Sequence, residues 1–191
     1  MRCISCEKLS FTIICKNCQD KLLKPEFYQR ELENGFKVYS FYKYEDIKKL
    51  LNSKYEFYGD RVINILAKLS LGKFSKNFTF TNEVYAIPID DFVKKDFSHS
   101  AILAKHLKSN YIKPIYNTLH AKNRIKFAGK SLDFRKQNPR NFQYKGKSNI
   151  QVILVDDIIT TGTTILEAKK ALEQYSCEVL FALSLSDVKV Y

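Results

Sequence analysis

The chain has 191 residues, of which 45% are hydrophobic, 14% aromatic and 27% charged, the profile of a folded domain rather than a disordered tail. Six Gly and four Pro exclude collagen-like and Pro-rich classes, and no apolar run approaches the roughly 20 residues that cross a bilayer. The formal net charge is +12, and residues 101–150 hold twelve Lys and Arg against the single acid Asp133. A field of that sign draws polyanions such as diphosphates, phosphorylated sugars or nucleic acid, although a basic face also serves solubility alone. The opening MRCISCEKLS has no apolar stretch behind its charge, so no secretory signal is expected and the protein is placed in the cytoplasm.

Cys3, Cys6, Cys15 and Cys18 form two C-x2-C knuckles at the start of the chain. Four thiolates at this spacing suit a tetrahedral zinc site, and a segment so poor in apolar side chains needs a cross-link to fold. Two disulfides are the alternative, disfavoured in a reducing cell, and a redox C-x2-C lacks its thioredoxin-like context. Residues 1–22 are therefore expected to be a structural zinc knuckle. Residues 23–80 read as a hood or connecting segment. In it, 35–44 is a strand in a hairpin begun near Phe27, and a helix capped by Asp60 places Val62, Ile63, Leu66 and Leu69 on one face before stopping at Gly72.

Residues 81–191 read as the core. A short buried strand spans 81–90 and ends at Pro88; a helix capped by Ser98 or Ser100 follows, with Ile102, Leu103, His106 and Leu107 on one side. Residues 117–149 lack a period and read as a long mobile loop. Then 150–155 is a continuous apolar strand, 156–164 a turn, 164–175 a helix with Ile165, Ala168, Leu172 and Tyr175 inward, and 177–185 a last strand. This βαβ order predicts an α/β fold with a mainly parallel sheet flanked by helices. Cys177 reads as a core residue, and His99, His106 and His120 as ordinary polar positions.

The sharpest signal is VILVDDIITTGTT, residues 152–164. A buried strand delivers Asp156 and Asp157 to its carboxyl end, the edge where open α/β sheets bind ligands. After Ile158 and Ile159, the residues Thr160, Thr161, Gly162, Thr163 and Thr164 ring the start of a helix, where free backbone N–H groups and the positive dipole end favour a phosphate. The acids are then left to accept hydrogen bonds from sugar hydroxyls or to orient metal-bound water. A Thr-capped helix with Asp157 as its cap is the plainer alternative. Ala128-Gly129-Lys130-Ser131 imitates a P-loop, but Arg124 stands where its first Gly belongs.

This string resembles the phosphoribosyl diphosphate (PRPP) motif of type I phosphoribosyltransferases, and with the cysteine knuckle ahead of it the chain is similar to the ComF family. Lys54-Tyr55 and Ala86-Ile87-Pro88 match the family's pattern. Lys95-Asp96-Phe97-Ser98-His99 stands where the family has Arg-Gly-Phe-Asn-Gln, and Arg135 to Asn138 loosely matches a further block. The resemblance implies a type I phosphoribosyltransferase-like fold, catalytic Asp156 and Asp157 at the ribose 2- and 3-hydroxyls, and Thr160, Thr161, Gly162, Thr163 and Thr164 around the 5-phosphate, with Ile158 and Ile159 completing the PRPP-binding motif. It also implies Mg2+ bridging diphosphate and ribose, and a role in natural transformation, the import of single-stranded DNA across the inner membrane.

Lys94, Lys95, Arg124, Lys126 and Lys130 are candidates for the diphosphate side. Lys122, Arg124, Lys126, Phe127, Lys130, Arg135, Lys136 and Arg140, interleaved with Phe134, Phe142 and Tyr144, are candidates for single-stranded DNA, by base stacking beside a basic track; packing under the loop is the other role open to these aromatics. PRPP, single-stranded DNA and the import machinery are the expected partners, with peripheral contact at the inner membrane and no transmembrane segment. The alternative is an active phosphoribosyltransferase that attaches ribose 5-phosphate to a nitrogenous base, as in nucleotide salvage. A zinc-dependent DNA-binding protein with a vestigial pocket is the third reading, opposed by the intact acids and hydroxyls.

Overall fold

The computed structural model describes residues 1–89, 98–123 and 131–190. In chain order the helices are α1 Lys16–Leu22, α2 Tyr44–Asn52, α3 Gly59–Leu69, α4 Leu71–Asn77, α5 His99–His106, α6 Leu132–Gln137 and α7 Thr163–Glu173. The strands are β1 Tyr28–Glu31, β2 Lys37–Lys43, β3 Val84–Pro88, β4 Ile112–Pro114, β5 Leu119–Ala121, β6 Phe142–Tyr144, β7 Gln151–Ile159 and β8 Glu178–Asp187. Six of them make one sheet in the order β1-β2-β8-β7-β3-β4, parallel throughout except for the β1–β2 hairpin. β5 and β6 form a separate antiparallel pair.

β7 is central and shows why its sequence is unbroken apolar: a parallel strand covered on both faces has no polar side to display. Ile153 and Val155 pack with Val62, Ile63, Leu66, Leu103 and Ala104 from α3 and α5. Val152 and Leu154 pack on the other face with Ile165, Ala168 and Leu172 of α7. The expected α/β class with a mostly parallel sheet between helices is what the chain forms. Among the described residues no helix is long and apolar enough to cross a membrane.

Several local expectations are corrected. β7 does not turn at Asp156 but runs through both acids to Ile159, paired with β8 as far as Asp187. α3 has Tyr58, not Asp60, at its N-cap, and Asp60 lies in the first turn, where its charge still suits the helix dipole. The helix ends at Ser70, with ψ −83°, and Gly72 falls inside α4. Residues 117–149 are not structureless, since they contribute β5, β6 and α6, the last capped by the Ser131 hydroxyl accepting from Phe134 N. Tyr175, expected inward, is 42% exposed.

The segment 23–80 extends the main sheet rather than standing apart from it, because β2 pairs in parallel with β8 from Val38–Ala182 to Lys43–Asp187. The cysteine segment is likewise docked: Cys3, Ile13, Ile14 and Cys18 belong to the same apolar cluster as Phe41, Ile47 and Leu51.

Candidate functional site

Asp156 and Asp157 stand at the carboxyl end of β7, between β8 on one side and β3 on the other. Asp156 Oδ1 accepts the Asp157 backbone N–H at 2.8 Å, which fixes the first carboxylate against the strand. Asp157 Oδ2 accepts from Lys54 Nζ at 2.6 Å, and the Lys54 carbonyl lies 3.1 Å from His99 Nε2 at the start of α5, which sets this acid on the α5 side. Both side chains of this pair are 15% exposed. Burial opposes the Lys54 charge, but the Asp157 carboxylate outweighs it, with Tyr55 and Asp156 adding, and holds the ammonium above its ordinary range.

Past Ile159 the chain turns through Thr160 and Thr161 to Gly162, whose φ of +86° is left-handed, and α7 begins at Thr163. The Thr161 and Thr163 hydroxyls lie 2.9 Å apart, and Thr163 N approaches Thr161 Oγ1 at 3.4 Å. Hydroxyls and helix-start N–H groups are thus gathered on the α7 side of the acids, a donor set suited to a phosphoryl group. Gly162 is favoured here by its φ, and a β-carbon there would lie 2.6 Å from both Leu32 methyl carbons, which would have to turn aside.

The turn is braced by a residue that the sequence does not single out. Arg30 on β1 donates Nε to Asp187 Oδ2 at 2.6 Å and Nη2 to Thr160 O at 3.0 Å. Asp187 is 1% exposed and also accepts from Lys189 N at 2.9 Å. Strand end, turn and hairpin are therefore tied together by one guanidinium. Lys54 has a sequence signal only as half of the Lys54-Tyr55 pair; nothing in it announces Asp157 as the partner.

Of the basic candidates, Lys94, Lys95, Arg124, Lys126, Phe127 and Lys130 lie outside the described residues, as do the side chains of Arg135 and Lys136. Lys122 is exposed, whereas Arg140 is buried, at 9% exposure, with its backbone N–H donating to Glu167 Oε2 at 2.7 Å. Tyr144 is in the core, its hydroxyl donating to Lys147 O at 2.8 Å, and Phe142 packs beside it, so these two rings are packing residues and not part of an open stacking track. Further along the basic segment, a cleft of about 900 Å³ opens beside α5 and β4, with Lys105, Lys108 and Lys113 on its rim and Tyr116 in its wall.

The four N-terminal cysteines converge, each sulfur within 4.8 Å of the others. Cys6 Sγ and Cys15 Sγ are 3.7 Å apart, close to the ~3.8 Å edge of a tetrahedron with zinc–sulfur bonds of about 2.3 Å. Burial opposes a Cys3 thiolate, but backbone N–H groups of Cys15, Cys6 and Ser5 and the Cys6 thiol bring it down to about 6. Ser5 favours a Cys18 thiolate, yet burial and the other three sulfurs push it up to about 12. Four crowded thiols, one already poised to ionise, fit a metal ion such as zinc better than they fit one another. Cys177 is buried at 3% exposure, away from this cluster.

No family model matches the chain, and no curated protein does. Among solved structures it is similar to a hypoxanthine phosphoribosyltransferase from Staphylococcus aureus, at 14% identity and a TM-score of 0.41, over 65% of this chain and 62% of that one. The chain thus spans less than two thirds of that protein's length. It is also similar to an adenine phosphoribosyltransferase, at 14% identity and TM-score 0.41 over 90% and 89% of the two chains. An orotate phosphoribosyltransferase from Aeropyrum pernix gives 18%, 0.40, 90% and 80%. At these values the likeness assigns neither a ligand nor a site residue to this chain.

Proposed function

We propose that the chain is a ComF-type protein with a phosphoribosyltransferase-like core that binds PRPP with Mg2+ and acts in natural transformation. The observation that carries the PRPP reading is the adjacency of two acids at the end of β7 to a Gly162-containing, hydroxyl-lined turn at the start of α7. In this reading the turn takes the 5-phosphate and the acids take the ribose hydroxyls. The residues that would orient Mg2+ and its water beside the ligand are Asp156 and Asp157, adjacent carboxylates at the end of β7, and the metal would neutralise charge on the diphosphate.

The part in DNA import rests on the resemblance and on charge. The cleft beside α5 joins three ammonium groups to the Tyr116 ring, 42% exposed, which is the pairing of cations and aromatic surface that holds single strands. Lys113 there also pairs with Glu83. The zinc knuckle is structural in this reading, fastening the first residues to the core.

Diphosphate release separates this from the enzymatic alternative. With PRPP, Mg2+ and adenine, hypoxanthine or orotate added in turn, no release above the rate without base is expected. Base-dependent release would establish the phosphoribosyltransferase activity instead.

A further inference from the structure

The residue that pairs with Asp157 is held in place from three sides. A β-carbon at Gly59 would lie 2.6 Å from Lys54 O, so only glycine lets the start of α3 close on the Lys54 backbone. His99 Nε2 lies 3.1 Å from the same carbonyl, and the Lys54 ammonium stands 5.2 Å from the centre of the Tyr55 ring. The Tyr55 and His99 rings meet edge to face at 6.3 Å. A surface lysine that merely neutralised an acid needs none of this.

The two faces of the sheet give the direction. The hydroxyl-lined turn leads onto α7, while Asp157, Lys54 and His99 lie toward α5. A sugar with its 5-phosphate in the turn and its ring hydroxyls on the acids therefore directs its C1 substituent to the α5 side, where, among the described residues, Lys54 is a cation beside the acids. Sugar hydroxyls that take up the Asp157 oxygen release the ammonium at the same moment, and it has only to rotate about its stem to meet an anion on C1.

Resting on the reading of the acid pair as a ribose grip, we propose that Lys54 is the specificity-determining residue of that site: it passes from Asp157 to the anionic group on ribose C1 and so selects a C1 diphosphate over a C1 hydroxyl. PRPP is preferred to ribose 5-phosphate for this reason, beyond what Mg2+ supplies.

The test is calorimetric affinity for PRPP and for ribose 5-phosphate, both with Mg2+, in the wild type, Lys54→Gln, Lys54→Met and Asp157→Asn. The two Lys54 variants are expected to lose roughly tenfold or more for PRPP while ribose 5-phosphate binds as before or tighter. Equal losses for both ligands, no loss for either, or failure of both variants to fold would assign Lys54 a structural role and overturn the proposal. Asp157→Asn is expected to weaken both ligands; if it weakens neither, the ribose grip itself is wrong, a result separate from the Lys54 ratio.

Discussion

Leu32 covers Gly162: both of its methyl carbons stand 2.6 Å from where a β-carbon on residue 162 would be. The hairpin loop and the hydroxyl-lined turn are thus in contact through a position whose φ of +86° favours glycine. Gly162→Ala is expected to cost about 1–3 kcal/mol in urea unfolding. Leu32→Ala in the same chain should return part of that loss, and strict additivity of the two would show that the contact does not constrain the turn.

Arg30 leaves a deeper mark. Its removal leaves Asp187, a carboxylate 1% exposed, with one backbone N–H, that of Lys189, as its remaining partner among the described residues. Arg30→Met is expected to destabilise the protein by about 3 kcal/mol, and Arg30→Met with Asp187→Leu to recover most of it. A loss under ~0.5 kcal/mol in the single variant would mean that the pair behaves as a surface one.

The sheet was legible in the sequence because its central strand is a continuous apolar run and because strand, turn and helix follow at βαβ lengths. The acids, the hydroxyls and the four cysteines are each contiguous or regularly spaced, so they too could be read directly. What could not be read depends on residues distant in the chain. Arg30 is 157 positions from Asp187 and Lys54 is 103 from Asp157, and both look like ordinary surface charges until the hairpin joins β8 and α3 closes over the sheet edge. Segment 117–149 escaped for a different reason: strands of three residues and a helix of six are too short to show a period.

Metal removal should be felt in the core, because Cys3 and Cys18 pack in the same cluster as Phe41 and Ile47. One zinc per chain is expected by elemental analysis, and a strong chelator is expected to lower the melting temperature, as is Cys3→Ser. An unchanged melting curve after complete removal would make the site dispensable for the fold.

His106 gives a pH dependence. Burial, with Lys105 and Lys68 adding, lowers its pKa in the folded protein, and its Nε2 lies 3.0 Å from Asn64 Oδ1. The unfolded chain therefore binds a proton first, so its contribution to stability is complete above a pH of about 6.5 and declines as the pH falls from there toward the lowered folded value. His106→Gln should flatten that part of the stability profile; an identical profile in the variant would remove His106 as its cause.

Single-stranded DNA affinity is expected to fall steeply with salt, and Lys105→Glu with Lys108→Glu to weaken it at every sequence tested. A salt-independent affinity, or none lost in the double variant, would detach the cleft beside α5 from DNA.

The PRPP reading is tested most directly by titrating PRPP with Mg2+ into the wild type and into Asp156→Ala with Asp157→Ala, with melting curves to show that both are folded. Measurable binding in the first and its loss in the second is the expected result. Equal affinity in a folded double variant, or no binding to the wild type, would contradict it.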